Sequence, residues 1–218
     1  MNIIWDLDGT LVDSRPVIAL AMNQTRVAYG LEEKSQEALR PYIGPSVHDT
    51  FAGFLGTDDQ EKIEEVIQHY RGRYQAALDQ SPVYPGMVEV LQQLQEAGCQ
   101  QWVATAKYQP FARELLQVTG LARYFVEAYG SGESGEHGHK VDLLRHVLAE
   151  EGLVPAQTVM IGDTRYDMEA ARAHDLTAIG VDWGYGLREE LREAGAHQIV
   201  ERPEDLMAVI RNSLMCAC

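Results

Sequence analysis

Two aspartates two residues apart, Asp6 and Asp8, follow the apolar run Ile3-Ile4-Trp5 and are followed at once by Gly9 and Thr10. In an extended chain residues two apart share a face, so both carboxylates point the same way at a strand end. Side by side they repel, and the pair is costly unless a cation sits between them or one holds a proton. Both exceptions imply chemistry: a divalent metal, a nucleophile, or a general acid–base. The competing reading is a strand that ends in a solvated acidic turn, since Asp and Gly are common turn residues. The remaining chain has to decide between the two.

Three more groups fall where strands are predicted to end or helices to begin. Thr105, with Ala106 and Lys107 behind it, ends the run Gln101-Trp102-Val103-Ala104. Lys140 opens a predicted helix at 140–151, where a cation opposes the helix dipole. Asp163 and Asp167 lie in Gly162-Asp163-Thr164-Arg165-Tyr166-Asp167, directly after a predicted strand at 157–161. Each has an ordinary reading alone, as a cap, a solvated lysine or a turn residue. Together they recur at the edge where open parallel sheets bind ligands, beyond the carboxyl ends of the strands.

The elements that would position them follow from periodicity. A strand is expected at 2–6, and then a helical pattern from 15 to 82, with segments at 15–29, 46–55 and 59–79. From Pro85-Gly86 onward the rhythm alternates. Helices are predicted at 87–97, 110–119, 140–151, 165–174, 187–194 and 203–214, and strands at 101–105, 125–129, 157–161, 177–181 and 197–200. Such alternation with short connections predicts an α/β fold, an open parallel sheet with helices on both faces and a Rossmann-like core. The helical block is then an inserted cap domain, 15–82, in a catalytic core of 1–14 and 83–218, hinged near 13–15 and 82–86.

With 218 residues and a formal charge of −15, the chain can bury a sizeable core but is a poor match for nucleic-acid phosphates or an anionic membrane. No basic and then apolar leader and no membrane-length run is visible. Cys99, Cys216 and Cys218 lack framework spacing, which suggests reduced thiols and a cytoplasmic location.

The motifs as a set resemble the haloacid dehalogenase-like hydrolase superfamily, whose members are mostly phosphatases. DLDGT at 6–10 is similar to its first motif, Thr105 to its second, Lys140 to its third and GDTRYD at 162–167 to its fourth. IGPSVHDTF at 43–51, YPG at 84–86 and VATAK at 103–107 resemble the phosphoglycolate phosphatase-like branch, which has a small helical cap. In one departure, Val141 rather than proline follows the third-motif lysine, and Lys107 is a fallback cation. Dehalogenases of the superfamily lack the second aspartate, so Asp8 directs the reading to phosphoryl transfer.

The resemblance implies a Mg²⁺-dependent phosphatase acting on a small phosphorylated metabolite, as a monomer or homodimer. Asp6 would be the nucleophile that forms an aspartyl-phosphate, and Asp8 the acid–base. Asp6, the Asp8 carbonyl and Asp163 would hold the metal, with Asp167 a ligand or a partner that orients Lys140. Lys140 would neutralise the nucleophile and phosphate. Thr105, the Ala106 amide and the loop of Gly9 and Thr10 would hold phosphate oxygens. Lys107, Gly44 and Ser46 are candidates for the leaving group, the last two at a predicted helix start. His137 and His139 read as surface-loop histidines, and WGYG at 183–186 as a turn with a packed tryptophan. A β-phosphoglucomutase-type phosphomutase and a non-catalytic binding protein on the same scaffold are the alternatives.

Overall fold

The computed structural model describes residues 1–215, so the expectations for Cys216 and Cys218 lie outside the described residues. β1 (Asn2–Trp5) opens the fold and is followed by four helices, α1 (Arg15–Ala28), α2 (Gln36–Leu39), α3 (Val47–Leu55) and α4 (Gln60–Gln75). Then come α5 (Met87–Glu96), β2 (Gln100–Tyr108), α6 (Gln109–Val118), β3 (Glu127–Ser131), α7 (Lys140–Glu150) and β4 (Thr158–Gly162). α8 (Arg165–Ala173), β5 (Thr177–Val181), α9 (Arg188–Glu193), β6 (Gln198–Val200) and α10 (Leu206–Met215) complete it.

Among the described residues six strands form one parallel sheet in the order β3-β2-β1-β4-β5-β6. β1 is central, with Ile4 opposite Trp102 on one side and Met160 on the other. Its apolar run is continuous because both faces are covered. Ile3 and Trp5 join Val103 and Ile161 in a core with α1, α5 and α6, whereas Ile4 joins Ala104 and Met160 in a second core under α7, α8 and α9. A third cluster, Phe51, Phe54, Ile63, Val66 and Ile67, knits α3 to α4. Asp59 caps α4 by accepting from the Lys62 amide. The chain leaves for these helices and returns along one seam: Val12 bridges Val83, and the Asp13 amide donates to Pro82 O at 2.8 Å.

The predicted sheet and its helices are present, with differences at the ends. β2 runs to Tyr108 instead of stopping at Thr105, and its register against β3 shifts between Ala104 and Tyr108. Lys107 reads as loop-forming, yet here it is in extended chain with its side chain 7% exposed. β3 lies two residues later than predicted, at 127–131. The helix predicted at 59–79 ends at Gln75, and a 3₁₀ turn follows at Leu78–Gln80. The last helix starts at Leu206 because Pro203–Asp205 form a 3₁₀ turn. Between Gly30 and Ser46 the expected helical pattern is reduced to α2 and the 3₁₀ turn Arg40–Tyr42.

Candidate active site

The carboxyl ends of β1 and β4 bring three buried carboxylates together. Asp6, Asp163 and Asp167 each offer an oxygen, and these atoms lie within 4.8 Å of one another. The Asp6 amide donates to Ile161 O at 2.8 Å, which carries the β1–β4 ladder one residue further and fixes where the side chain emerges. Asp163 is clamped: Thr10 Oγ1 donates to Oδ1 at 3.0 Å and the Tyr185 amide to Oδ2 at 2.7 Å. The backbone presses close on it. A Cβ at Gly9 or Gly184 would fall on its side chain, and Gly9 also needs φ +92°. Asp167, in the first turn of α8, accepts from the Thr164 amide at 3.0 Å and the Thr164 hydroxyl at 2.8 Å through Oδ2.

Two lysines serve the aspartates of the first motif, one each. Lys140 Nζ lies 2.6 Å from Asp6 Oδ1 and 2.9 Å from Asp167 Oδ1, and donates to Ala104 O at 2.8 Å. Lys107 Nζ lies 2.7 Å from Asp8 Oδ2 and 4.2 Å from the centre of the Tyr74 ring. The Ser14 hydroxyl donates to Asp8 Oδ1, and the Ser14 amide donates to the Tyr185 hydroxyl at 2.9 Å. Asp6 and Asp8 therefore face one cavity on separate cations.

The charges do not balance around Asp6. Burial pushes its carboxyl up to about 7, opposed by Lys140 and reinforced by Asp167. Asp163 rises well above the ordinary carboxylate range, first through burial and then through Asp6 and Asp167. Burial works against the charge of Lys140, yet Asp167 and Asp6 outweigh it and raise its pKa. Three carboxylates thus share one ammonium, and Asp167 Oδ1 is buried with no aligned hydrogen bond. A compact set of carboxylate oxygens with excess negative charge suits a hard divalent cation such as Mg²⁺.

Thr105, Ala106, Lys107, Lys140 and Thr164 line the cavity from the sheet side, and Gly44 and Pro45 from the helical segment. Thr105 Oγ1 accepts the Lys107 amide at 3.3 Å. Ser46 stands apart from this lining. Its hydroxyl caps α3, accepting the Asp49 amide at 3.1 Å and donating to Asp49 Oδ2 at 2.7 Å. The Gly9 amide is engaged by Val12 O at 2.8 Å, and the Thr10 hydroxyl by Asp163. His137 stacks on His146 with ring centres 4.4 Å apart, and His139 lies 3.7 Å from Asp49. The WGYG segment is a turn whose tryptophan donates to Thr10 O at 3.1 Å, and it also supplies the Tyr185 and Gly184 contacts to Asp163. Ser14, Tyr185 and Arg71 are site neighbours that the sequence reading passes over. For Tyr185 the signal was present in WGYG, directly after a strand.

A sheet of this order with paired carboxylates at its central edge defines a class of hydrolase. The model of the haloacid dehalogenase-like hydrolase family matches residues 3–181, and the chain belongs to that family. A 5′-nucleotidase from Pseudomonas aeruginosa is 36% identical over 209 residues, 95% of this chain and 93% of its own length. A phosphoglycolate phosphatase from Vibrio parahaemolyticus is 28% identical over 218 residues, 95% of each chain. A solved structure of a predicted phosphatase from Clostridium acetobutylicum superposes with a TM-score of 0.92 at 30% identity, over 97% of this chain and 98% of that one.

Proposed function

We propose that this hydrolase is a Mg²⁺-dependent phosphatase of small phosphorylated metabolites that works through an aspartyl-phosphate on Asp6. The observation that carries the reading is the separation of roles: Asp6 and Asp8 open on one cavity, yet each is bound to its own lysine. Lys140 holds Asp6 Oδ1, so that Oδ2 attacks phosphorus. The Asp6–phosphorus bond forms as the bond to the leaving oxygen breaks, and Asp8 in its acid form gives that oxygen a proton. Water then attacks phosphorus, its proton passes to Asp8, and the Asp6–phosphorus bond breaks. Thr105 and the Ala106 amide, both on the cavity wall, hold phosphate oxygens.

Asp6, Asp163 and the carbonyl of Asp8 would hold Mg²⁺, with Asp167 fixing Lys140 beside them. The ion would supply positive charge where a carboxylate approaches a phosphate dianion. Domain boundaries fit the same reading: a cap of 15–82 moves on the seam where Val12 meets Val83.

The test is release of phosphate from an aryl phosphate, with Mg²⁺ or with chelator, by the wild type and Asp6→Asn. Turnover that needs both the metal and Asp6 supports the assignment, and turnover indifferent to both refutes it. Transfer of the phosphoryl group to a sugar phosphate, in place of release, would make the enzyme a phosphomutase.

A further inference from the structure

The two named relatives cleave esters with unlike leaving groups, a nucleoside and a small carboxylate, so the cavity wall opposite the carboxylates has to be read on its own. That wall is aromatic. Tyr42, Tyr70, Tyr74, Tyr108 and Phe111 line it, and Tyr70, Tyr74 and Phe111 form a continuous run with ring centres 6.1 and 5.6 Å apart. Set into this wall is one guanidinium, that of Arg71 on the inner face of α4, and the residue is 6% exposed.

Arg71 is held from three sides. Its Cζ lies over the Tyr108 ring, 4.1 Å from the ring centre, Nη2 donates to Glu133 O at 3.0 Å, and Glu64 Oε1 lies 3.7 Å from Nη1, beyond hydrogen-bond reach. Nη1 is buried and makes no hydrogen bond. A fixed, buried, unpaired donor on a cavity wall is costly unless something else accepts from it. The other cations of the described lining, Lys107 and Lys140, are already paired with Asp8 and Asp6, and the Tyr74 hydroxyl is the other buried donor there without a partner.

We propose that Arg71 is a specificity-determining residue whose free Nη1 donates to an uncharged acceptor on a flat, unsaturated leaving group. The substrates of this chemistry are nucleoside 5′-monophosphates whose base carries a ring carbonyl, as uracil, cytosine and guanine do and adenine does not. Rings favour a flat partner over an aliphatic one. Glu64, 3.7 Å away, offsets part of the Arg71 charge without taking the Nη1 hydrogen bond, so an uncharged acceptor is enough to complete it. A leaving-group carboxylate would also add a negative charge to a site where Asp6, Asp8, Asp163 and Asp167 already outnumber Lys107 and Lys140. This inference rests on the phosphatase reading for its substrate but on geometry alone for its binding site.

The experiment compares kcat/KM for uridine 5′-monophosphate, ribose 5-phosphate, which lacks the base, and phosphoglycolate, in wild type, Arg71→Met and Arg71→Gln. Binding of uridine alone, without phosphate, is followed by calorimetry on the same proteins. The wild type should prefer the nucleotide to ribose 5-phosphate. Arg71→Met should lower that ratio about ten- to hundredfold, with Arg71→Gln, which keeps an amide donor, in between. Uridine affinity should fall by a similar factor. A ratio unchanged in Arg71→Met, or equal uridine affinity in wild type and both variants, overturns the proposal. So does a preference for phosphoglycolate that Arg71→Met removes selectively, because Arg71 then reads a carboxylate. If no ester is cleaved while uridine binds in an Arg71-dependent way, the phosphatase reading fails and this one stands. Should Arg71→Met not fold, Arg71→Gln and the uridine titration decide.

Discussion

Magnesium should stabilise this protein strongly at neutral pH and weakly in acid. Asp6 is pushed up to about 7 and Asp163 well above its ordinary value of 3.8, each first by burial. Between about pH 4 and pH 7 the folded chain therefore binds protons that the unfolded chain has released. Where the folded state binds more protons, stability falls as pH rises, so the metal-free protein should weaken across that window. For Asp6 alone, at 1.36 kcal/mol per pH unit, the loss has an upper bound of about 4 kcal/mol. Mg²⁺ answers the same excess charge. At a concentration a hundredfold above its Kd it adds about 2.7 kcal/mol. For a chain of 218 residues, that corresponds to roughly 5–11 °C in Tm. At pH 5 the ion has to displace protons from the carboxylates, and the gain should be less than half. The assay is a thermal melt with chelator or Mg²⁺ at pH 5 and 7.5, for wild type and Asp163→Asn. The variant should melt higher than wild type without metal at pH 7.5 and respond little to the ion. Equal shifts at both pH values, or a full shift in Asp163→Asn, would refute the reasoning.

Two further outcomes test the clamps around these groups. Gly184→Ala places a methyl group on the Asp163 side chain. Overpacking of this kind costs about 1–3 kcal/mol, and the variant should fold yet lose most of the Mg²⁺-induced shift in Tm. A wild-type shift in that variant would show that Asp163 is not held where the metal reading needs it. Lys107→Met leaves Asp8 with Ser14 as its remaining partner at the cavity edge. Breaking a buried pair costs about 3 kcal/mol at the low end, or roughly 6–12 °C for a chain of this size, measured in the metal-free protein. A change under about 2 °C would mean that the pair contributes nothing to the fold.

Much of this arrangement was legible because it is local. The apolar runs of β1 and β4 are buried on both faces, so they read as strands of a parallel sheet. The residues just after them, Asp6 and Asp163, were bound to sit at one edge. The spacing of Thr164 and Asp167 writes the capping box of α8 directly into the chain. What escaped depends on distant partners. Lys107, two residues after Thr105, is legible as a spare cation, but its pairing with Asp8 and its place over the Tyr74 ring are not written in the local sequence. Arg71 sits in Tyr70-Arg71-Gly72-Arg73-Tyr74, where two arginines look alike. Helical phase alone turns Arg71 inward with Ile67 and Tyr74 and leaves Arg73 outside. Ser46 stands before α3 as its sequence position implies, and the cap engages its hydroxyl, which only the partner Asp49 reveals.

The central place of β1 has a kinetic corollary. Ile4 cannot find both its neighbours until Trp102 and Met160 exist, so the earliest-made strand waits for most of translation. Loops that long close late, and a chain halted before Met160 leaves β1 with one side bare. Nascent fragments of this protein should then be clients for chaperones, and assembly of the sheet should be the slow phase in refolding.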